Sequence, residues 1–195
     1  MTTGGVRQIH HHTYEAYLEH ESGSNVKHEY LDGEIYAMAG GSRQNAALSV
    51  AVAAALYQQL RAKPCVVHSS DLKVRVLATG LTTYPDVTVV CGPPQEDPLS
   101  RHVLLNPTLV VEVTSSSTEE WDRGEKLEHY RSIPSLQACV LVSHTERRLT
   151  VVLRQPDGSW AEQGAGPGQG ALLPNLGLAL DVDEIYRGVD LATSS

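Results

Sequence analysis

Two valine-rich segments constrain this chain more than any other feature: "PDVTVVC", from Pro85 to Cys91, and "LVVEVT", from Leu109 to Thr114. Each reads as a buried strand. Each also carries a carboxylate, Asp86 at the opening of the first and Glu112 inside the second. An unpaired carboxylate among apolar strand residues is costly. If the two strands pair, the acids converge, and like charges that close are unfavourable unless one is protonated or a cation lies between them. A hard divalent ion, Mg2+ or Mn2+, suits such a place because it takes a few carboxylate oxygens, a backbone carbonyl and waters. The bland alternative puts each acid near a strand end, solvated or ion-paired.

The segment after Glu112 adds a third group. "STEEWDRGEKLEHYRSI", Ser117 to Ile133, reads as one amphipathic helix with Ser117 and Glu120 at capping-box spacing and Pro134 past its end. Asp122, Lys126 and Tyr130 recur every four residues and form a polar stripe on one face. Folded back over the sheet, this helix brings Lys126 to the acids; left in solvent, Lys126 is an ordinary helix lysine paired with Asp122. Two carboxylates with a metal, plus an ammonium, form a minimal set for phosphodiester hydrolysis. They neutralise the phosphate, make a water nucleophilic at neutral pH and position it.

The rest of the chain supplies a scaffold. Residues 1–12, including His10 to His12, read as a flexible leader, 13–190 as one globular unit and 191–195 as a tail. "TYEAYLEHE" predicts a short helix, and "KHEYLDGEIYAMAGG" two short strands joined by Asp32-Gly33, a dipeptide that accepts positive φ. From the N-cap candidate Ser42, an Ala/Leu-rich helix runs to just before Pro64. "CVVHSSDLKVRVL", "YPDVTVVC" and "PTLVVEVTS" are strands of one expected sheet, "QACVLVS" and "RRLTVVLRQ" two more, and "GAGPGQGA" a loop before a last strand and helical turn. The order gives an α/β (α+β) fold, a mixed sheet flanked by helices.

Composition removes several classes. No apolar run is long enough to span a bilayer and no signal-peptide pattern opens the sequence, so the cytoplasm is the expected compartment. Cys65, Cys91 and Cys139 are odd in number, lack CxxC spacing and sit in apolar stretches, which predicts small core residues rather than a disulfide framework or zinc site. The nine histidines form no HExxH, "SSST" has no GxSxG elbow, and "GAGPGQG" has no following Lys-Ser/Thr. A formal charge of -8 opposes a nonspecific nucleic-acid coat and leaves room only for a local basic groove. Arg123, Lys126 and Arg131 on the helix, with Lys73 and Arg75 on a strand, are the candidates for phosphate contacts.

In order, "KHEYLDGEIYAMAGGS", "SSDLKVRV", "TYPDVTVVCG", "NPTLVVEVTSSST" and "WDRGEKLEHYRSI" closely resemble the Uma-type restriction endonuclease family of the PD-(D/E)XK nuclease superfamily, over roughly residues 13 to 187. The resemblance implies a restriction-endonuclease-like core, a Mg2+-dependent site and a homodimer acting on duplex DNA. It assigns Asp86 and Glu112 as metal-holding acids, the carbonyl of Val113 as a further ligand, and Lys126 as a lysine migrated from the position held by Thr114. Glu34, after the hairpin turn, matches another acid that assists the metal or its water; Asp71 and Tyr130 match supporting residues. Gln44 or Asn45 stands where many relatives carry a histidine. That departure leaves a second reading, a nuclease-like domain that binds DNA or a protein without cutting.

Overall fold

The computed structural model describes residues 11–191. All but the first residue of the expected tail and all but the last two residues of the expected leader lie outside them; His12 donates its N–H to the Gly33 carbonyl at 2.8 Å. Helix α1 (Tyr14–Ser22) is capped by Thr13, whose hydroxyl accepts from Ala16 N. Strands β1 (His28–Leu31) and β2 (Glu34–Ala37) form a hairpin in which Asp32 and Gly33 have φ of 50° and 83°, both in the left-handed region that a tight two-residue turn requires. Helix α2 (Arg43–Leu60) starts at Ser42, whose hydroxyl accepts from Asn45 N, and buries Asn45, Leu48, Val52, Leu56 and Leu60 at helical spacing.

The expectation of one sheet needs correction. "CVVHSSDLKVRVL" divides at a turn where Leu72 N donates to Ser69 O, giving β3 (Cys65–Ser69) and β4 (Lys73–Arg75) in different sheets. Strands β5 (Thr82–Thr83), β6 (Val87–Cys91), β7 (Glu96–Asp97), β8 (Ser100–Leu104) and β9 (Leu109–Val113) follow.

The predicted helix from Ser117 also divides, into α3 (Glu119–Arg123) and α4 (Glu125–Arg131). At Gly124 a Cβ would lie 2.8 Å from the Glu120 carbonyl oxygen, so glycine permits the close approach that breaks the helix. Thr118, not Ser117, is the N-cap, and no side chain caps it.

Strands β10 (Ala138–Val142), β11 (Leu149–Arg154), β12 (Trp160–Ala165), β13 (Gly170–Leu173) and β14 (Leu178–Asp181) lead to the short helix α5 (Val182–Ile185). The predicted loop shrinks to residues 166–169, because Gly164 and Ala165 finish β12 while Gly170 and Ala171 open β13. Among the described residues one sheet runs β2-β1-β5-β4-β8-β7, a second β12-β11-β10-β9-β6-β3, and β13-β14 is a separate pair. The architecture is α+β with mixed sheets, since β10 runs parallel to β9 while β6 and β11 are antiparallel to their neighbours.

The cysteine expectation is overturned for two of three. The β3–β6 register sets Cys65 directly opposite Cys91, and a disulfide joins them; Cys139 alone remains a buried thiol. Sequence spacing carries no cross-strand register, which is why the pairing was hidden. No helix among the described residues is long and apolar enough to cross a membrane.

Packing around β9 sets up the site. Leu109, Val111 and Val113 point into the core shared with α2, whereas Val110 packs with Leu127 and Tyr130 of α4. Strand alternation therefore aims Glu112 at α4.

Candidate active site

Strands β6 and β9 pair as Val87 with Val111 and Thr88 with Val110. Continuing that register by one residue sets Asp86 opposite Glu112. Asp86 Oδ2 accepts from Val113 N at 2.7 Å, and Oδ1 from the Ser49 hydroxyl of α2 at 3.1 Å. Burial pushes the Asp86 carboxyl above its ordinary range, against the pull of these two hydrogen bonds.

Glu112 is 4 % exposed and Lys126 3 %. Lys126 Nζ lies 3.1 Å from Glu112 Oε1, 3.0 Å from Glu29 Oε1 and 3.5 Å from Asp122 Oδ1. The buried Tyr130 hydroxyl donates to the same Glu112 oxygen. Glu29 also accepts from the Thr83 hydroxyl. The polar stripe of α4 thus lies over the sheet: α3 and α4 follow β9 directly and return to β10 beside it.

Charge in this cluster is unbalanced. Glu29, Glu112 and Asp122 surround one ammonium, with Asp86 facing Glu112. Burial pushes Glu112 up to about 8, even though Lys126 pulls the other way. Burial alone would lower Lys126, but Glu112, Glu29 and Asp122 outweigh it and hold the proton on. Retaining a proton on Glu112 relieves the excess negative charge; a further cation does the same.

The donors fit a hard cation. Asp86, Glu112 and the Val113 carbonyl are all oxygen, and waters complete such a shell around Mg2+. Among the described residues no three His, Cys, Asp or Glu side chains gather as a ready ligand set. Asn45 Nδ2 donates to the Val113 carbonyl at 3.3 Å and to Thr114 O at 3.0 Å, while its own oxygen accepts from the Ser42 hydroxyl. A carbonyl oxygen has a second lone pair, so Asn45 can orient Val113 O and leave it able to bind metal. Gln44 is half-buried and makes no hydrogen bond among the described residues.

Other residues singled out in the sequence lie apart. Glu34 is exposed at the start of β2, and the hairpin acid that reaches Lys126 is Glu29. Asp71 is exposed and pairs with Lys27 at 2.7 Å. Arg123 pairs with Glu119 one helical turn away. Sequence reasoning missed Glu29, although the alternation of β1 carries a signal: His28 and Tyr30 are engaged with α1, which turns Glu29 to the opposite face. It also missed His144, whose Nδ1 lies 3.0 Å from the Thr114 hydroxyl.

A family model, two relatives and a solved structure match this chain. The Uma2 model, described as "Putative restriction endonuclease", matches residues 14–183. "Uncharacterized protein slr1290" of Synechocystis sp. is 39% identical over 175 residues, covering 90% of this chain and 91% of that one. "Uncharacterized protein sll1609" of the same organism is 28% identical, covering 74% and 81%. A crystal structure of "a putative nuclease belonging to DUF820" from Anabaena variabilis superposes with a TM-score of 0.69 at 14% identity, covering 84% of this chain and 91% of the other.

Proposed function

The chain belongs to the Uma2 family, and from that premise we propose that it is a DNA endonuclease dependent on Mg2+ or Mn2+. The observation that supports this reading is the buried cluster in which Lys126 Nζ lies 3.1 Å from Glu112, the acid set opposite Asp86. Asp86, Glu112 and the Val113 carbonyl would hold the ion. When bound, it supplies Lewis-acid neutralisation of the phosphate and lowers the pKa of a water.

The chain's own residues do the rest. Ser49 and Val113 N fix the Asp86 carboxylate, and Tyr130 fixes Glu112. Lys126 has three N–H donors and three carboxylate partners. Its longest pair, 3.5 Å to Asp122, is the one that a water or phosphate oxygen can replace. Exchanging that contact lets the ammonium orient the attacking water or offset charge on the phosphate. Glu29 keeps Lys126 in place. A homodimer on duplex DNA fits the family's endonuclease description.

The test is a cleavage assay on plasmid, branched and single-stranded DNA with Mg2+, Mn2+ or EDTA, comparing the wild type with Asp86→Asn, Glu112→Gln and Lys126→Met. Metal-dependent nicking lost in all three variants supports the reading. An intact plasmid and oligonucleotide set at every metal concentration contradicts it and leaves a domain that binds without cutting.

A further inference from the structure

The structure sorts the five cations that the sequence offered for phosphate contacts. Arg123 pairs with Glu119 and Arg131 with Glu128. Arg75 is bound to Asp97 at 2.8 Å and stacked over the Tyr14 ring at 3.5 Å. Lys126 is enclosed by three carboxylates. The Lys73 side chain has no ion pair or hydrogen bond among the described residues, and the residue is half-buried.

Its position follows from strand register. Val74 pairs with Thr83 and Arg75 with Thr82, so one further step sets Lys73 beside Tyr84. On the other side of β5, Tyr30 pairs with Thr82, which carries the start of β1 to the same end. Both Lys73 and Lys27 therefore reach the Tyr84 ring, with ammonium groups 5.5 and 5.3 Å from its centroid. Lys27 is already engaged by Asp71 at 2.7 Å and the Ser70 carbonyl at 2.8 Å. Glu21, at the hydroxyl end of the ring, accepts from the Tyr84 hydroxyl at 2.6 Å and from His28, so both its oxygens have partners. Two residues after Tyr84 the chain reaches Asp86, at most about 7 Å further along the backbone.

We propose that Lys73, seated on Tyr84 on the α1 side of the sheet, binds a backbone phosphate of the bound nucleic acid. The inference rests on the nuclease reading for its ligand. Burial lowers the pKa of Lys73, only partly offset by the Glu21 charge, so this ammonium gains from an incoming anion. Tyr84 holds it by cation–π attraction, and because Lys27 is offset by Asp71, Lys73 is the cation at this ring left open to an anion.

The test is fluorescence anisotropy of a labelled DNA duplex in EDTA, titrated with wild type, Lys73→Met and Lys73→Arg across a series of KCl concentrations. Losing one phosphate contact lowers the salt slope, log K against log[salt], by about 0.9 and weakens binding about eightfold near 0.1 M salt. Lys73→Met is expected to show both changes and Lys73→Arg neither; circular dichroism melting confirms that both variants fold. A Lys73→Met protein with wild-type affinity and slope overturns the proposal, as does a wild type that binds no duplex at low salt. Because the assay contains no metal and measures no cutting, its result is separable from the nuclease reading. A clamp confirmed on a protein that never cuts leaves the clamp and removes the nuclease; a cutting protein with an unchanged Lys73→Met slope does the reverse.

Discussion

Replacing Lys126 by methionine should destabilise the protein far more than an ordinary helix substitution. The side chain is 3 % exposed and its ammonium is within 3.5 Å of Glu29, Glu112 and Asp122. Methionine fills similar volume, so cavity formation contributes little. What remains is a set of buried carboxylates without their cation, and removing one partner of a buried ion pair costs about 3–5 kcal/mol. For a chain of this size that corresponds to a fall in Tm of roughly 6–20 °C. The cost also has a pH signature. Glu112 is pushed up to about 8 when folded, against an ordinary value of 4.5, so its ionisation opposes folding as pH rises between those values. Without Lys126 that opposition grows, and the deficit of Lys126→Met should be small near pH 5 and largest near pH 8. Adding Glu112→Gln should restore part of the loss. Thermal melts of the four proteins of this double-mutant cycle, without divalent metal, at pH 5 and pH 8, provide the assay. At pH 8, a single-variant loss below about 1 kcal/mol, or a double variant that merely adds the two losses, refutes the buried cluster.

Metal affinity should rise with pH up to about 8, because Glu112 must release its proton to bind a cation; calorimetry with Mn2+ in buffers of different ionisation enthalpy should show proton release near pH 7 and little above pH 9. Tyr130→Phe removes a buried hydrogen bond to Glu112 and should cost about 0.5–1.5 kcal/mol in chemical denaturation at neutral pH, the range for a bond to an uncharged group. Reducing the Cys65–Cys91 bond, which closes a loop of 26 residues in sequence separation, should lower stability by about 3.5 kcal/mol on the chain-entropy account, read as a lower Tm with dithiothreitol that the Cys65→Ser, Cys91→Ser protein no longer shows.

What the sequence made legible depended on local chemistry. The Asp32-Gly33 turn, the Ser42 cap and the two acids in valine-rich strands are each declared by a few adjacent residues, and the structure has the turn, the cap and the antiparallel pair β6–β9. Non-local register was not legible. Cys65 and Cys91 meet only because β3 pairs with β6, and the division of "CVVHSSDLKVRVL" between sheets happens at a turn that the alternating pattern runs straight through. The helix broken at Gly124 needed the position of the Glu120 carbonyl. At the site, Glu34 after the turn is exposed. Strand alternation sends Glu29 inward instead. Among the candidate cations, identity alone could not separate Lys73 from Arg75, because Asp97 and Tyr14 come from distant parts of the chain.

The most direct test of the metal site is anomalous diffraction at the manganese edge from crystals soaked in Mn2+, for the wild type and Asp86→Asn. The account predicts a peak bonded to Asp86, Glu112 and the Val113 carbonyl in the wild type and its loss in the variant. Saturating Mn2+ that leaves those three oxygens without a peak, or a peak unchanged by Asp86→Asn, would contradict it.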